Sequence, residues 1–250
     1  VGVLLAIVVV GVIVASFTML ATPQPSSSGS LVARTERIPT PTVAGVPTAA
    51  AQQLEKQIAD DRKAAANRPL PELLKDLESS EMRVIFDATR AISALGADAK
   101  PAVPQLIVII EKDQETPRLA CIHLLGTIGP GAVESVPTLI KMLSHSDFHT
   151  QYFALRALAK IGPEAKVALP EMIRLLKTGV ATTRKNAATA LGDLGPIIGA
   201  DGIEALNAAL ADPLFPVREQ VAFALGKLGK AAESTLPALR ELASNPAKST

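Results

Sequence analysis

Few residues in this 250-residue chain could carry out covalent or metal chemistry. Cys121 is the single cysteine, so no internal disulfide and no cysteine-rich zinc site can be built from it. A reactive thiol needs an exposed, electropositive setting. Cys121 lies instead at a recurring position otherwise filled by small apolar residues, which predicts simple packing. His145 and His149 stand four apart with Asp147 between them. Two histidines at that spacing on one helix can share a metal. Here the stretch SHSDFHT spans a turn and brings no third strong ligand, so the expectation is no metal, with Asp147 capping a helix or lying in its first turn. No nucleophile–base pair and no Gly-rich phosphate loop can be found, which points to no enzyme, no cofactor and no small-molecule substrate. What remains is a set of basic residues, Arg83, Arg90, His123, Arg156 and Lys160. Arg90, His123 and Arg156 follow one another at 33-residue intervals. Their chemistry would be non-covalent, the attraction of acidic groups.

That interval belongs to the whole C-terminal part of the chain. Prolines recur at 71, 104, 137, 170 and 237, and glycines at 96, 129, 162, 195 and 229. Ile203 occupies the one proline station left empty. The position nineteen before each glycine holds Leu77, Ile110, Leu143, Leu176 or Leu210. A period of this length is the signature of a stacked-repeat solenoid. Each unit reads as two helices. The first is short and carries Pro in its opening turn, where the missing N–H has no helical partner in any case. The second is longer and ends on the glycine, as a left-handed C-terminus would require. Its apolar stripe is Val217, Val221, Ala224, Leu225 and Leu228 in the fifth unit, and Val84, Ala88, Ala91, Ile92 and Leu95 in the first. Ala88, Cys121, Ala154, Ala187 and Val221 share one mostly small column, which predicts close approach of neighbouring helices.

The stretch 212–229, DPLFPVREQVAFALGKLG, resembles the second helix of a HEAT repeat of the short bacterial type. Asp212, Pro213, Val217, Arg218, Ala222, Leu225, Gly226, Leu228 and Gly229 fit that pattern. Arg118 and Arg184 keep its arginine column, whereas Ile85 and Gln151 depart from it. The resemblance covers about 70–244. It implies an all-α fold, a right-handed α-α superhelix of antiparallel helix pairs, with five full units over 69–244 and a sixth first helix. It also implies an inter-repeat ladder in which Arg118, Arg184 and Arg218 bond acids of neighbouring units, with Asp113, Asp147 and Asp212 available. HEAT arrays mostly serve as interaction scaffolds. Some short arrays resemble bilin-attaching lyases, but seven aromatic residues in the whole chain argue against a pigment groove.

In HEAT-like solenoids the second helices line the concave side. The positions farthest from the apolar stripe would then form a basic ridge in units one to three: Arg83, Arg90, His123, Arg156 and Lys160, with Asp87 diluting it. Residues from 69 onward carry 19 basic and 20 acidic side chains. A local basic ridge on a neutral body steers an acidic protein partner. The near-neutral balance and scarce aromatics point away from nucleic acid.

The N-terminal part has a different composition. Residues 1–21 contain no charged side chain. As a helix they span about 31 Å, close to a bilayer's hydrocarbon core. The expectation is a single transmembrane anchor; a cleaved signal peptide, with Val14, Ala15 and Ser16 at the cleavage site, is the alternative. Residues 22–48, rich in Pro, Ser and Thr, read as a disordered linker. Residues 49–68 read as a polar helix that caps the first repeat or acts as a spacer, and 245–250 as a tail. The chain starts without Met and stops one helix into a sixth unit, so a piece of a longer protein is expected. Membrane side and oligomeric state are not legible.

Overall fold

The computed structural model describes residues 56, 68–112, 114–237 and 239–240. Contacts divide the chain into residues 1–58 and 59–250, and every described residue except Lys56 lies in the second part. The expected anchor (1–21), linker (22–48) and tail (245–250) lie outside the described residues. Of the expected helix 49–68, only Lys56, helical and exposed, and Arg68, next to the first repeat, are described.

Among the described residues, short and long α-helices alternate. They are α1 Leu70–Asp76, α2 Met82–Leu95, α3 Val103–Glu111, α4 Glu115–Ile128, α5 Val136–Leu143, α6 Phe148–Ile161, α7 Leu169–Thr178, α8 Ala181–Leu194, α9 Gly199–Ala209 and α10 Phe215–Leu228. Odd-numbered helices are the first of each unit and even-numbered ones the second. Each second helix has 14 residues. Pro71, Pro104, Pro137 and Pro170 fall at the first or second position of α1, α3, α5 and α7, where a missing N–H costs no helical bond. Ile203 lacks that constraint. There the helix begins earlier, at Gly199, and the preceding connection shrinks to Gly195–Ile198. The beginning of the sixth unit is seen in helical Leu236, Pro237, Leu239 and Arg240.

One detail departs from the sequence reading and one goes beyond it. The glycines ending the second helices have φ between 54° and 85°. Their ψ values, −138° at Gly162 for example, lie far from the left-handed helix, in a region glycine alone enters freely. The residues after each glycine are not irregular. They form 3-10 turns, such as Gly96–Ala102 and Gly129–Ser135, whose buried alanines Ala99, Ala102 and Ala132 let the chain pass close to the core.

The repeat core follows from the columns. Ala88, Cys121, Ala154, Ala187 and Val221 are all fully buried. Leu77, Ile110, Leu143, Leu176 and Leu210 are buried too. Val217, Val221, Ala224, Leu225 and Leu228 are buried in α10, whereas Val84, Ala91 and Leu95 of α2 are only half-buried. Of its stripe α2 buries Ala88 and Ile92, together with Ile85 and Thr89.

Second helices touch one another along the whole row α2, α4, α6, α8, α10, while first helices meet each other far less. The closer row is the inner row of a curved stack. Glycine permits the closest approaches. A Cβ on Gly126 would lie 3.1 Å from the Ala157 Cα, and one on Gly192 would lie 2.8 Å from the Ala224 Cα. The segment Glu115–Leu143 is long and apolar enough to cross a bilayer by length and composition. It is α4, a 3-10 turn and α5, broken at Gly129 (φ 67°) and mostly buried among the repeats. It is core.

Candidate functional site

The inner row carries the basic residues singled out by the sequence. The 14-residue helices keep one register, so Arg90, His123, Arg156, Thr189 and Phe223 occupy the same position on α2, α4, α6, α8 and α10. Arg90 and Phe223 are exposed, and the three between them half-buried. A shallow depression opens between α4 and α6, lined by Ile122, His123, Gly126, Phe153, Arg156, Ala157 and Lys160. It brings three of the five expected binding residues, His123, Arg156 and Lys160, to one place. Gly126 and Ala157 leave its floor low, because neither places bulk between the helices.

The groups around the depression hold each other. Arg156 donates from Nη1 to the Tyr152 hydroxyl at 2.8 Å, with its guanidinium 5.4 Å from the Tyr152 ring centre. The Tyr152 ring meets Phe153 edge-on at 5.2 Å, and Phe153 meets the His123 imidazole edge-on at 6.1 Å. Burial, and then the positive charges of Lys160 and Arg156, push His123 down to about 4. Its ring is neutral at physiological pH. It supplies a hydrogen-bonding group, and the charge of the site comes from the cations. Lys160 is lowered as well, first by burial and then by Arg156 beside it. The two cations therefore repel each other in a partly desolvated place.

Arg83 lies at the other end of the row. Its side chain is 93% exposed, and its Nε is 3.9 Å from Asp87 one helical turn on. An exposed pair of this kind contributes little, and the Asp87 carboxylate opposes the charge that Arg83 presents. His149 stacks against Phe148, with ring centres 3.9 Å apart. His145 accepts the Asp147 N–H on Nδ1 at 3.0 Å, and Asp147 caps α6 by accepting from the N–H groups of His149 and Thr150 at 3.1 and 2.8 Å. The trio forms the capping loop of a helix. Burial tends to raise the Asp147 carboxyl. The Thr150 hydroxyl and N–H and the His149 N–H outweigh it and leave the carboxyl below the usual range. Among the described residues, no group of three His, Cys, Asp or Glu side chains could hold a metal ion. Cys121 is fully buried in the small column, and burial pushes its thiol far above the ordinary value.

The inter-repeat ladder differs in its rungs from the arginine–aspartate scheme. Arg184 forms the expected kind of rung, donating to both Asp212 oxygens at 2.6 and 2.9 Å and to the Gly179 carbonyl at 2.9 Å. Arg118 reaches the next unit through a hydroxyl. Its Nε donates to the Thr150 Oγ1 at 3.1 Å, and that hydroxyl donates to Asp147 at 2.7 Å. Arg218 bonds within its own unit, to the carbonyls of Asp212 and Pro213 at 2.8 and 3.1 Å. Asp113 lies outside the described residues. Sequence reasoning missed Gln151 and Thr183. Gln151 departs from the arginine column, yet it accepts the Thr183 hydroxyl at 3.0 Å and donates to the His145 carbonyl at 2.9 Å. The available signal was the 33-residue spacing of Thr150 and Thr183, which repeats that of Arg118 and Gln151.

Comparison with known proteins agrees with this architecture. A family model described as HEAT repeats matches residues 103–192 and 169–250, more than half of the chain. No curated protein matches the sequence. A designed armadillo repeat protein in complex with the peptide (KR)4 is 16% identical, with a TM-score of 0.51, over 73% of this chain and 95% of that one. An engineered protein is 22% identical over 71% of this chain and 92% of its own, with a TM-score of 0.48. Human deoxyhypusine hydroxylase in complex with glycerol is 19% identical over 80% and 86%, with a TM-score of 0.37. The fold is an all-helical repeat solenoid.

Proposed function

The chain belongs to the HEAT-repeat family, and from that premise we propose that it is a non-catalytic scaffold that captures an acidic protein segment on its inner row of second helices. The observation that carries this reading is the depression between α4 and α6, where His123, Arg156 and Lys160 meet, with Arg90 next in the column. The described armadillo relative holds a basic peptide. Here the sign on the inner row is positive, so the complementary ligand is acidic. Residues from 69 onward are nearly balanced in charge, which makes the attraction local and directional. The test is capture of acidic partners by the intact chain and by an Arg90→Glu/Arg156→Glu double variant. Loss of capture with unchanged helical content is expected. Equal capture by both would move the binding surface away from this row.

Tethering to a membrane belongs to the same proposal. Its support is the uncharged run of residues 1–21 and the Pro/Ser/Thr-rich run of 22–48. A flexible segment of that length reaches about 30 Å root-mean-square. Holding the scaffold near a surface raises the local concentration of partners there, so modest affinity suffices. Alkaline carbonate extraction of membranes is the test. A retained chain supports the anchor. A soluble chain whose mass shows cleavage near Ser16 replaces it with the signal-peptide reading.

A further inference from the structure

The inner row is basic at one end and changes character at the other. At the position held by Arg90, His123 and Arg156 on earlier helices, α8 presents Thr189 and α10 presents Phe223. The chain has six phenylalanines, and Phe223 is 60% exposed, more than any other described phenylalanine. Its neighbours fix it in place without making this end cationic. Lys227 lies 4.9 Å from the ring centre, and its ammonium is bonded to Asp193 at 2.5 Å, so its charge is compensated locally. The Thr189 hydroxyl is turned back to the Lys185 carbonyl at 3.0 Å. One face thus offers the cations Arg156 and Lys160 on α6 and, two second helices further on, a braced apolar ring.

We infer that the inner row reads a bipartite segment, an acidic cluster seated on Arg156 and Lys160 and one apolar side chain, about six residues away, seated on Phe223. The inference rests on the scaffold reading above and adds a second anchor and a register to it. Packed helices lie about 8–10 Å apart, so two steps along the row cover about 16–20 Å. An extended chain advances about 3.3 Å per residue, so five or six residues bridge the two anchors. Acidic groups alone give attraction without register, because charge acts over the Debye length of about 8 Å in any direction. The apolar contact acts only on touching. It is what would fix the position of the segment.

The test uses fluorescein-labelled synthetic peptides and the intact chain, read by fluorescence anisotropy. One peptide carries three consecutive acidic residues in a Gly/Ser background. The others add a leucine two, six or ten residues from the cluster, on either side. The acidic peptide is expected to bind, and Arg156→Glu to weaken it at least tenfold. Leucine at six residues, on one side, is expected to tighten binding about fivefold, as burial of one aliphatic side chain against a half-open ring allows. Spacings of two and ten should add nothing, and Phe223→Ala should abolish the gain while leaving the acidic peptide's affinity alone. Phe223 is mostly in solvent, so the variant keeps its core, and an unchanged helical spectrum verifies this. If the acidic peptide binds but leucine helps at no spacing, or helps equally with Phe223→Ala, the bipartite reading is wrong and the acidic scaffold stands. If no acidic peptide binds, both fall.

Discussion

Arg184→Met removes the best-paired rung of the inter-repeat ladder. Arg184 makes two bonds to Asp212, at 2.6 and 2.9 Å, between side chains that are 16% and 7% exposed. Breaking a fully buried ion pair costs about 3–5 kcal/mol, and an exposed one about 0–1. This pair lies between those limits. After the substitution Asp212 keeps the Leu214 N–H at 2.9 Å and the nearby charge of Arg218. The expected cost is therefore ~2 kcal/mol, with a fall in Tm of ~4–8 °C for a domain of this size. Thermal unfolding followed by circular dichroism, in a double-mutant cycle with Asp212→Asn, isolates the pair. A coupling energy of at least ~1 kcal/mol is expected at neutral pH. The hydrogen bonds from Arg184 are the main cause that holds the Asp212 carboxyl below the usual range. A carboxyl with a depressed folded pKa stabilises the fold above its unfolded value of about 3.9, and that contribution disappears as pH falls through the lower folded value. The coupling should hold steady from about pH 5 upward and vanish in strong acid. A coupling below ~0.3 kcal/mol at neutral pH, or one that fades above pH ~5, would refute the reasoning.

Four further outcomes follow from named contacts. Gly192→Ala should destabilise by ~1–3 kcal/mol, because its Cβ would lie 2.8 Å from the Ala224 backbone. Gly226→Ala, at the matching position of α10 with nothing within 4 Å, should stabilise by ~0.5–1 kcal/mol, and denaturant titration of the pair reads both signs. The His123 imidazole should titrate near pH 4 by proton NMR. Because its folded value is depressed below the ordinary ~6.5, the fold should lose stability as pH falls from about 6.5 toward 4, and a titration midpoint near 6.5 would contradict the burial argument. Cys121 should resist maleimide in the folded protein and react on unfolding; rapid labelling of the native state would show that the small column is open.

The architecture was readable because a solenoid writes its packing into a period. Pro104 and Gly129 mark where a helix begins and ends in one unit, and the same marks recur one repeat later. The fully buried column from Ala88 to Val221 followed from that register alone. The exceptions have local causes. The seven-residue runs after Gly96 and Gly129 are too short to show periodicity, and their 3-10 form emerges only when Ala99 and Ala132 pack against the core. Val84, Ala91 and Leu95 match the stripe of α10 yet stay half-buried, because a helical pattern marks a face and does not say how fully neighbouring elements cover it. The ladder was legible in position and not in partner. Arg118 and Gln151 share a column but use different chemistry, and each meets a threonine of the next unit. In the basic row the positions were visible, but the ionisation of His123 was not. It depends on Phe153, Arg156 and Lys160 being brought around it by a neighbouring helix.

The central claim is that the inner row of second helices is the surface that meets an acidic partner. The most direct measurement places a photo-crosslinking residue at Thr127, on α4 and one turn from His123, and at Gln105, on the outer helix α3. Adducts in native membranes are then identified by mass spectrometry. Adducts are expected from Thr127 and not from Gln105, with crosslinked segments that are acidic and are lost in the Arg90→Glu/Arg156→Glu variant. Adducts from Gln105 alone, or adducts at Thr127 that survive the double variant unchanged, would contradict the claim.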